Sequence, residues 1–202
     1  MIHRREVLKA GAGLALAAPL RIPLKLLTAA AGAPAADAPD VMAETGLAAA
    51  TALISAARHN ARHARVVDLD STVMIRRLSE AWARGPRPLF GMTRSDVAIL
   101  VEALARDYGM AVVYRGWHDH RADGTIHHVL YGDRNSIAIL EREFATSGAG
   151  FGKVLGEQVG ALAALSPRCE SRNFTAAFGG SMPARARFVT WAVAPAGSTT
   201  VA

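Results

Sequence analysis

Four of the seven histidines in this chain cluster at His118, His120, His127 and His128. Imidazoles brought onto one patch of a strand pair are the ligand set that a zinc or copper ion takes. The surrounding sequence predicts such a pair. Met110 to Trp117 is rich in β-branched and aromatic residues, Ile126 to Tyr131 returns, and Asp123-Gly124 between them is a favoured two-residue turn. A two-residue turn pairs Ala122 with Thr125 and sets His120 opposite His127. His118 then shares that face, because side chains alternate along a strand, and lies diagonally from His127. The expected metal ligands are therefore His118, His120 and His127. Asp119 would stand across from His128 on the other face, where a carboxylate orients an imidazole. Residues 117–121 read equally as the solvated tip of an exposed hairpin, and a loop of three or four residues would shift the register and break the His120/His127 pairing. His59 and His63, four apart, would share one face of a helix, a second metal-ligand spacing.

The elements that must position these groups follow from periodicity and punctuation. An Ala-rich stretch from Met42 to Arg65 reads as a first helix, and Thr72 to Arg84 as a second, with Met74, Ile75, Leu78 and Trp82 at helical spacing and Glu80 able to pair with Arg76 or Arg84. Gly85-Pro86-Arg87-Pro88 stops it. A short apolar strand, Leu89 to Met92, precedes a helix that starts at Thr93 or Ser95 and closes at Gly109. Its expected buried stripe is Val97, Leu100, Val101, Leu104 and Tyr108, with Glu102 and Arg106 as an exposed pair. After the hairpin, Asp133 to Ala145 predicts a helix, Gly148 to Gly152 a break, the stretch to Leu165 another helix, and Ala186 to Ala194 a last strand. From Leu89 the order is strand, helix, strand, strand, helix, extra helix, strand. The expected fold is thus α+β, a ferredoxin-like split βαββαβ domain over 89–195, with a helical extension at 36–88 and a flexible tail at 196–202.

A second motif carries phosphorus chemistry. Val66-Val67-Asp68-Leu69-Asp70-Ser71-Thr72-Val73 resembles the DxDxT motif of haloacid dehalogenase-like phosphatases. The resemblance implies Asp68 as nucleophile and Asp70 as acid/base beside Mg²⁺. The same residues also suit the cap of a helix starting near Val73. Gly148-Ala149-Gly150-Phe151-Gly152-Lys153 follows a predicted helix and lacks a Ser/Thr after Lys, so it reads as a helix-to-helix turn and not as a phosphate cradle. Cys169 has no local signature of a nucleophile, and Gly179-Gly180-Ser181 lacks the frame of a nucleophile elbow. Trp117 and Trp191 read as core.

Ahead of all this stands His3-Arg4-Arg5-Glu6-Val7-Leu8-Lys9, followed by the uncharged run Ala10 to Leu20. The pattern resembles a twin-arginine export signal, ending in small-residue stretches at Ala29-Ala30-Ala31 and Ala33-Pro34-Ala35 where cleavage is expected, so 1–35 reads as leader. A spanning helix needs about 20 apolar residues, and Arg21, Pro23 and Lys25 interrupt this run, so no stable membrane span is expected after cleavage. The resemblance implies the twin-arginine translocase as a partner during export, a periplasmic or extracellular location, and a protein that crosses folded. Five of the 23 Lys and Arg lie in the leader, leaving 18 basic against 16 acidic residues, too even a balance for nucleic-acid binding. Of those 18, all but Lys153 are Arg, a bias read as genomic composition. With one cysteine no internal disulfide forms. The function expected is that of an exported accessory or binding protein. The alternatives are a histidine-dependent Zn or Cu protein and an Mg²⁺-dependent phosphatase using Asp68.

Overall fold

In the computed structural model the described residues are 38–47, 49–61, 63–67, 71–163, 170–177 and 187–196. They form a seven-stranded mixed sheet with strands β1 (Asp40–Glu44), β2 (His63–Val67), β3 (Leu89–Thr93), β4 (Met110–His120), β5 (Thr125–Gly132), β6 (Glu170–Ala177) and β7 (Arg187–Pro195). Five helices cover it: α1 (Ala50–Ala57), α2 (Ser71–Arg84), α3 (Ser95–Asp107), α4 (Arg134–Ser147) and α5 (Phe151–Ala163). The strand order is β2-β1-β3-β7-β4-β5-β6. β1 runs parallel to both β2 and β3, and every pairing from β3 onward is antiparallel. Residues of α1, α4 and α5 share one core with Phe90, Ile126, Leu130 and Phe188. Residues of α2 and α3 share the other with Met42, Val189 and Trp191. The described residues therefore form three layers.

The α+β mixture expected from the sequence is present, and from Leu89 the elements come in the expected order except for β6, a strand the sequence reading did not contain. The sheet is arranged otherwise. β7 inserts between β3 and β4, β6 is added at the far edge, and helices lie on both faces, where a split βαββαβ unit segregates them to one. Residues 36–88 are also not a helical extension. They contribute β1 and β2 to the same sheet, joined by parallel crossovers through α1 and α2. The expected helix from Met42 to Arg65 is a strand, a helix of eight residues and a second strand. Gly46, at φ 86°, makes the turn out of β1. Asp-Val-Met-Ala-Glu carries no period-two alternation because β1 is flanked on both sides and covered on both faces, so its apolar residues are not confined to one side.

Gly91 holds β3 against its neighbour. It pairs directly with Trp191 of β7, and a Cβ there would fall 2.1 Å from the indole ring, so only glycine lets Trp191 lie across the strand. The indole Nε1–H then donates to Thr93 Oγ1 at 3.0 Å. α5 meets α1 in the same manner. A Cβ on Gly152 would lie 2.6 Å from the Ala49 carbonyl oxygen, and one on Gly156 would lie 2.4 Å from that of Leu53.

α3 is rotated from its expected phase. Its buried residues are Val97, Ala98, Val101, Glu102 and Ala105, while Leu100 is exposed. Glu102 does not pair with Arg106. It is buried and receives both Nε and a terminal nitrogen of Arg115 from β4, a bidentate contact that satisfies the carboxylate inside the fold. No helix among the described residues is long and apolar enough to cross a membrane.

Candidate functional site

The histidine hairpin forms, with a loop one residue longer than a two-residue turn. Gly124 N–H donates to the Arg121 carbonyl at 3.2 Å and Arg121 N–H to the Thr125 carbonyl at 2.9 Å, while Gly124 takes φ 78°. This is the three-residue connection, a turn closed by a left-handed glycine. His118 consequently stands opposite His128, Asp119 opposite His127, and His120 opposite Ile126. The expected trio is not assembled. His118 and His120 face α4 and α5 together with His128, whereas His127 is on the other face of the sheet beside Asp119. That carboxylate accepts from Arg187 Nε at 2.9 Å and from a terminal guanidinium nitrogen at 3.2 Å, and these bonds hold its pKa below the usual carboxylate range.

His118, His120 and His128 are buried. His118 is stacked between Phe188, with centroids 4.9 Å apart, and Phe151, at 5.5 Å, and His128 stacks on Phe174 at 5.0 Å. The Nδ1 atoms of His118 and His128 are 2.8 Å apart, and His118 Nε2 lies 2.8 Å from Thr190 Oγ1, which in turn is 3.2 Å from Tyr114 Oη. Gly116 makes room for this chain, since a Cβ there would come within 2.6 Å of both hydroxyls. Burial depresses the pKa of all three imidazoles, that of His128 to about 3, and raises that of Tyr114. Both nitrogens of His118 are used in hydrogen bonds. Among the described residues no three His, Cys, Asp or Glu side chains gather as a group that could hold a metal ion. The cluster is a neutral polar network inside the core.

His59 and His63 do not share a helix face. His59 lies in the turn after α1, and His63 opens β2. Asp68, Asp70, Cys169 and Gly179-Gly180-Ser181 lie outside the described residues. Gly148–Gly150 is a 3₁₀ turn leading directly into α5, as its sequence implied. Trp191 is core, but Trp117 is 40% exposed, against Tyr131 and beneath the Arg115 guanidinium.

A cleft of about 660 Å³ lies elsewhere, between α2 and the edge strand β2. His63, Arg65 and Val67 alternate onto the α2 side of β2, opposite Asp40, Met42 and Glu44 of β1. From the other wall α2 contributes Arg77, Ala81 and Arg84, spaced four and three residues apart and so on one helix face. Arg87, just past the end of α2, also lines the cleft, and Met42, Leu78, Trp82 and Leu89 supply apolar lining. Arg65, Arg77, Arg84 and Arg87 are all exposed, and none forms an ion pair among the described residues. Among the described residues Asp40 is the one acid lining the cleft.

No family model, curated protein or solved structure matches this chain. The site must be read from its own chemistry. Four guanidiniums around an apolar-lined cleft can bind carboxylate or phosphate with paired N–H donors. The sequence held a signal for this. Arg77-x-x-x-Ala81-x-x-Arg84 repeats at helical spacing and His63-x-Arg65-x-Val67 at strand spacing, so both sets could have been assigned to single faces.

Proposed function

We propose that this chain is an exported binding protein, carried by the twin-arginine translocase to the periplasm or extracellular space, that takes an anionic small molecule in the cleft between α2 and β2. The observation that carries the reading is the set of four arginines, each without an ion pair among the described residues, lining a cavity of about 660 Å³. That volume is in the range of small-ligand sites, roughly 300–1,000 Å³. Like charges held this close repel one another in the empty protein, and an anion relieves that repulsion as it binds. Titration calorimetry of the mature protein at low ionic strength, against inorganic phosphate and small di- and tricarboxylates, tests it. Saturable binding that weakens with salt and is lost in the Arg77→Glu/Arg84→Glu double variant is expected. Heats unchanged by that double substitution would sink the reading.

A second reading has a specific observation in its favour. Val67 and Val73, which flank the Asp68-Leu69-Asp70-Ser71-Thr72 motif in sequence, both line the cleft. If Asp68 is a nucleophile, a phosphomonoester in this arginine-lined cleft is its substrate. Mg²⁺-dependent hydrolysis of p-nitrophenyl phosphate, abolished by Asp68→Asn, is what that reading requires.

A further inference from the structure

Asp40 is anomalous in the arginine cleft. It opens β1, directly opposite His63 of β2 and Leu89 of β3, and its backbone N–H donates to the Pro88 carbonyl at 3.0 Å. By strand alternation its side chain shares the α2 side with Met42. One carboxyl oxygen, Oδ1, is buried and has no hydrogen-bond partner among the described residues. A buried acceptor left unmade carries its desolvation penalty uncompensated. The obvious partners line the same cleft, yet none of Arg65, Arg77, Arg84 and Arg87 comes within ion-pair distance of it. The cleft thus keeps a negative pole apart from its positive ones.

Resting on the anion-binding reading above, we infer that the ligand is a small polyanion that also carries an ammonium group: an acidic amino acid or a short acidic peptide with a free amine. Asp40 accepts from the ammonium, and the arginines take the carboxylates. The charges match. Among the described lining residues four guanidiniums stand against one carboxylate, so a simple zwitterion with one carboxylate would leave more cations unanswered, whereas an amino dicarboxylate addresses both poles. The methylenes of such a ligand lie against Met42, Leu78 and Trp82. A ligand with no amine leaves the Asp40 carboxylate unanswered and adds its own charge to the same cleft.

Calorimetry on the mature full chain tests this with four probes: L-glutamate, the dipeptide Glu-Glu, glutarate, and N-acetyl-Glu-Glu. Glutamate is expected to bind at least about tenfold more tightly than glutarate, or Glu-Glu than its acetylated form, reflecting one charge-assisted hydrogen bond. The stronger of glutamate and Glu-Glu tells amino acid from peptide. In Asp40→Asn, nearly isosteric, that preference is expected to collapse towards one while glutarate affinity holds or rises. Thermal denaturation reports that the variant is folded, and Asp40→Ala repeats the test if it is not. Equal affinity for amine-bearing and amine-free probes in the wild type overturns the inference and leaves anion binding standing. No binding of any of the four, together with none of phosphate, overturns both.

Discussion

The Nδ1 atoms of His118 and His128 lie 2.8 Å apart in the core, a hydrogen bond between two imidazoles that burial keeps neutral. One nitrogen donates and the other accepts, and protonation of the accepting ring would place an N–H against an N–H. Because burial depresses the folded pKa of these groups, of His128 to about 3, they take up protons more readily in the unfolded chain, whose histidines titrate near 6.5. Their contribution is therefore complete above about pH 6.5 and is lost as pH falls below it towards the folded pKa. For His128 alone the loss at pH 5 is about 2 kcal/mol. Urea unfolding followed by tryptophan fluorescence is expected to show a midpoint constant from pH 7 to 8 and falling steadily from pH 6 to 4. A midpoint flat across that acid range would show that the rings are not held neutral.

The pair is coupled, so its members cannot be exchanged one at a time without cost. His118→Leu leaves the His128 Nδ1 without its partner and takes from the Thr190 hydroxyl one of its bonds, a loss of about 2 kcal/mol. His118→Leu/His128→Leu removes both ends of the central bond, and its cost is expected to fall short of the sum of the single variants. The double variant should also lose much of the acid sensitivity. Equilibrium unfolding of the four proteins at pH 7.5 and pH 5 measures both effects.

The hairpin shows how far the sequence could be read. Its two strands and the turn at Asp123-Gly124 are legible from residue types alone, but whether Gly124 serves as the second of two turn residues or closes a three-residue loop in the left-handed region is not. That one residue moved His127 to the opposite face and brought His128 in its place. Between Met42 and Arg65, alanine content favoured helix over residues whose strand character comes from parallel neighbours far off in sequence. The phase of α3 failed for a related reason, because Glu102 is buried only by virtue of Arg115 on β4, thirteen residues on. The arginines of the cleft were visible but read as composition, since their convergence depends on β2 and α2 facing each other. Helices α2, α4 and α5, with strong punctuation and local periodicity, were the legible part.

Glycine packing gives a prediction with an unusual sign. Gly→Ala within a helix ordinarily stabilises by about 1 kcal/mol. At Gly156 the added Cβ would meet the Leu53 carbonyl oxygen at 2.4 Å and force α1 off α5, so Gly156→Ala is expected to destabilise by about 2 kcal/mol net. Gly160, whose nearest neighbour would be 3.7 Å away, is the control and should show the ordinary gain. Gly91→Ala should be worse than either, costing about 3 kcal/mol, since the Trp191 ring has no room to retreat within the core. Differential thermal denaturation of the three variants orders them, and a Gly156→Ala protein at least as stable as wild type would rule out this α1/α5 contact.

Export is tested at Arg4 and Arg5. If the leader is read by the twin-arginine translocase, replacing the pair with Arg4→Lys/Arg5→Lys keeps charge but removes the guanidinium pair that the resemblance makes the recognition element. The double variant, expressed in a twin-arginine-competent host, is expected to remain in the cytoplasm with its leader uncleaved, while wild type appears in the periplasm as a shorter species. The proposed binding site gives the proposed export a second consequence. A protein that crosses folded carries its α2/β2 cleft already built, so mature protein recovered from the periplasm and the leaderless chain refolded from urea should bind Glu-Glu with the same affinity. Fractionation with immunoblotting reads the first outcome and calorimetry the second. Periplasmic recovery undiminished by the paired lysines would instead assign the leader to a route that does not read the arginines.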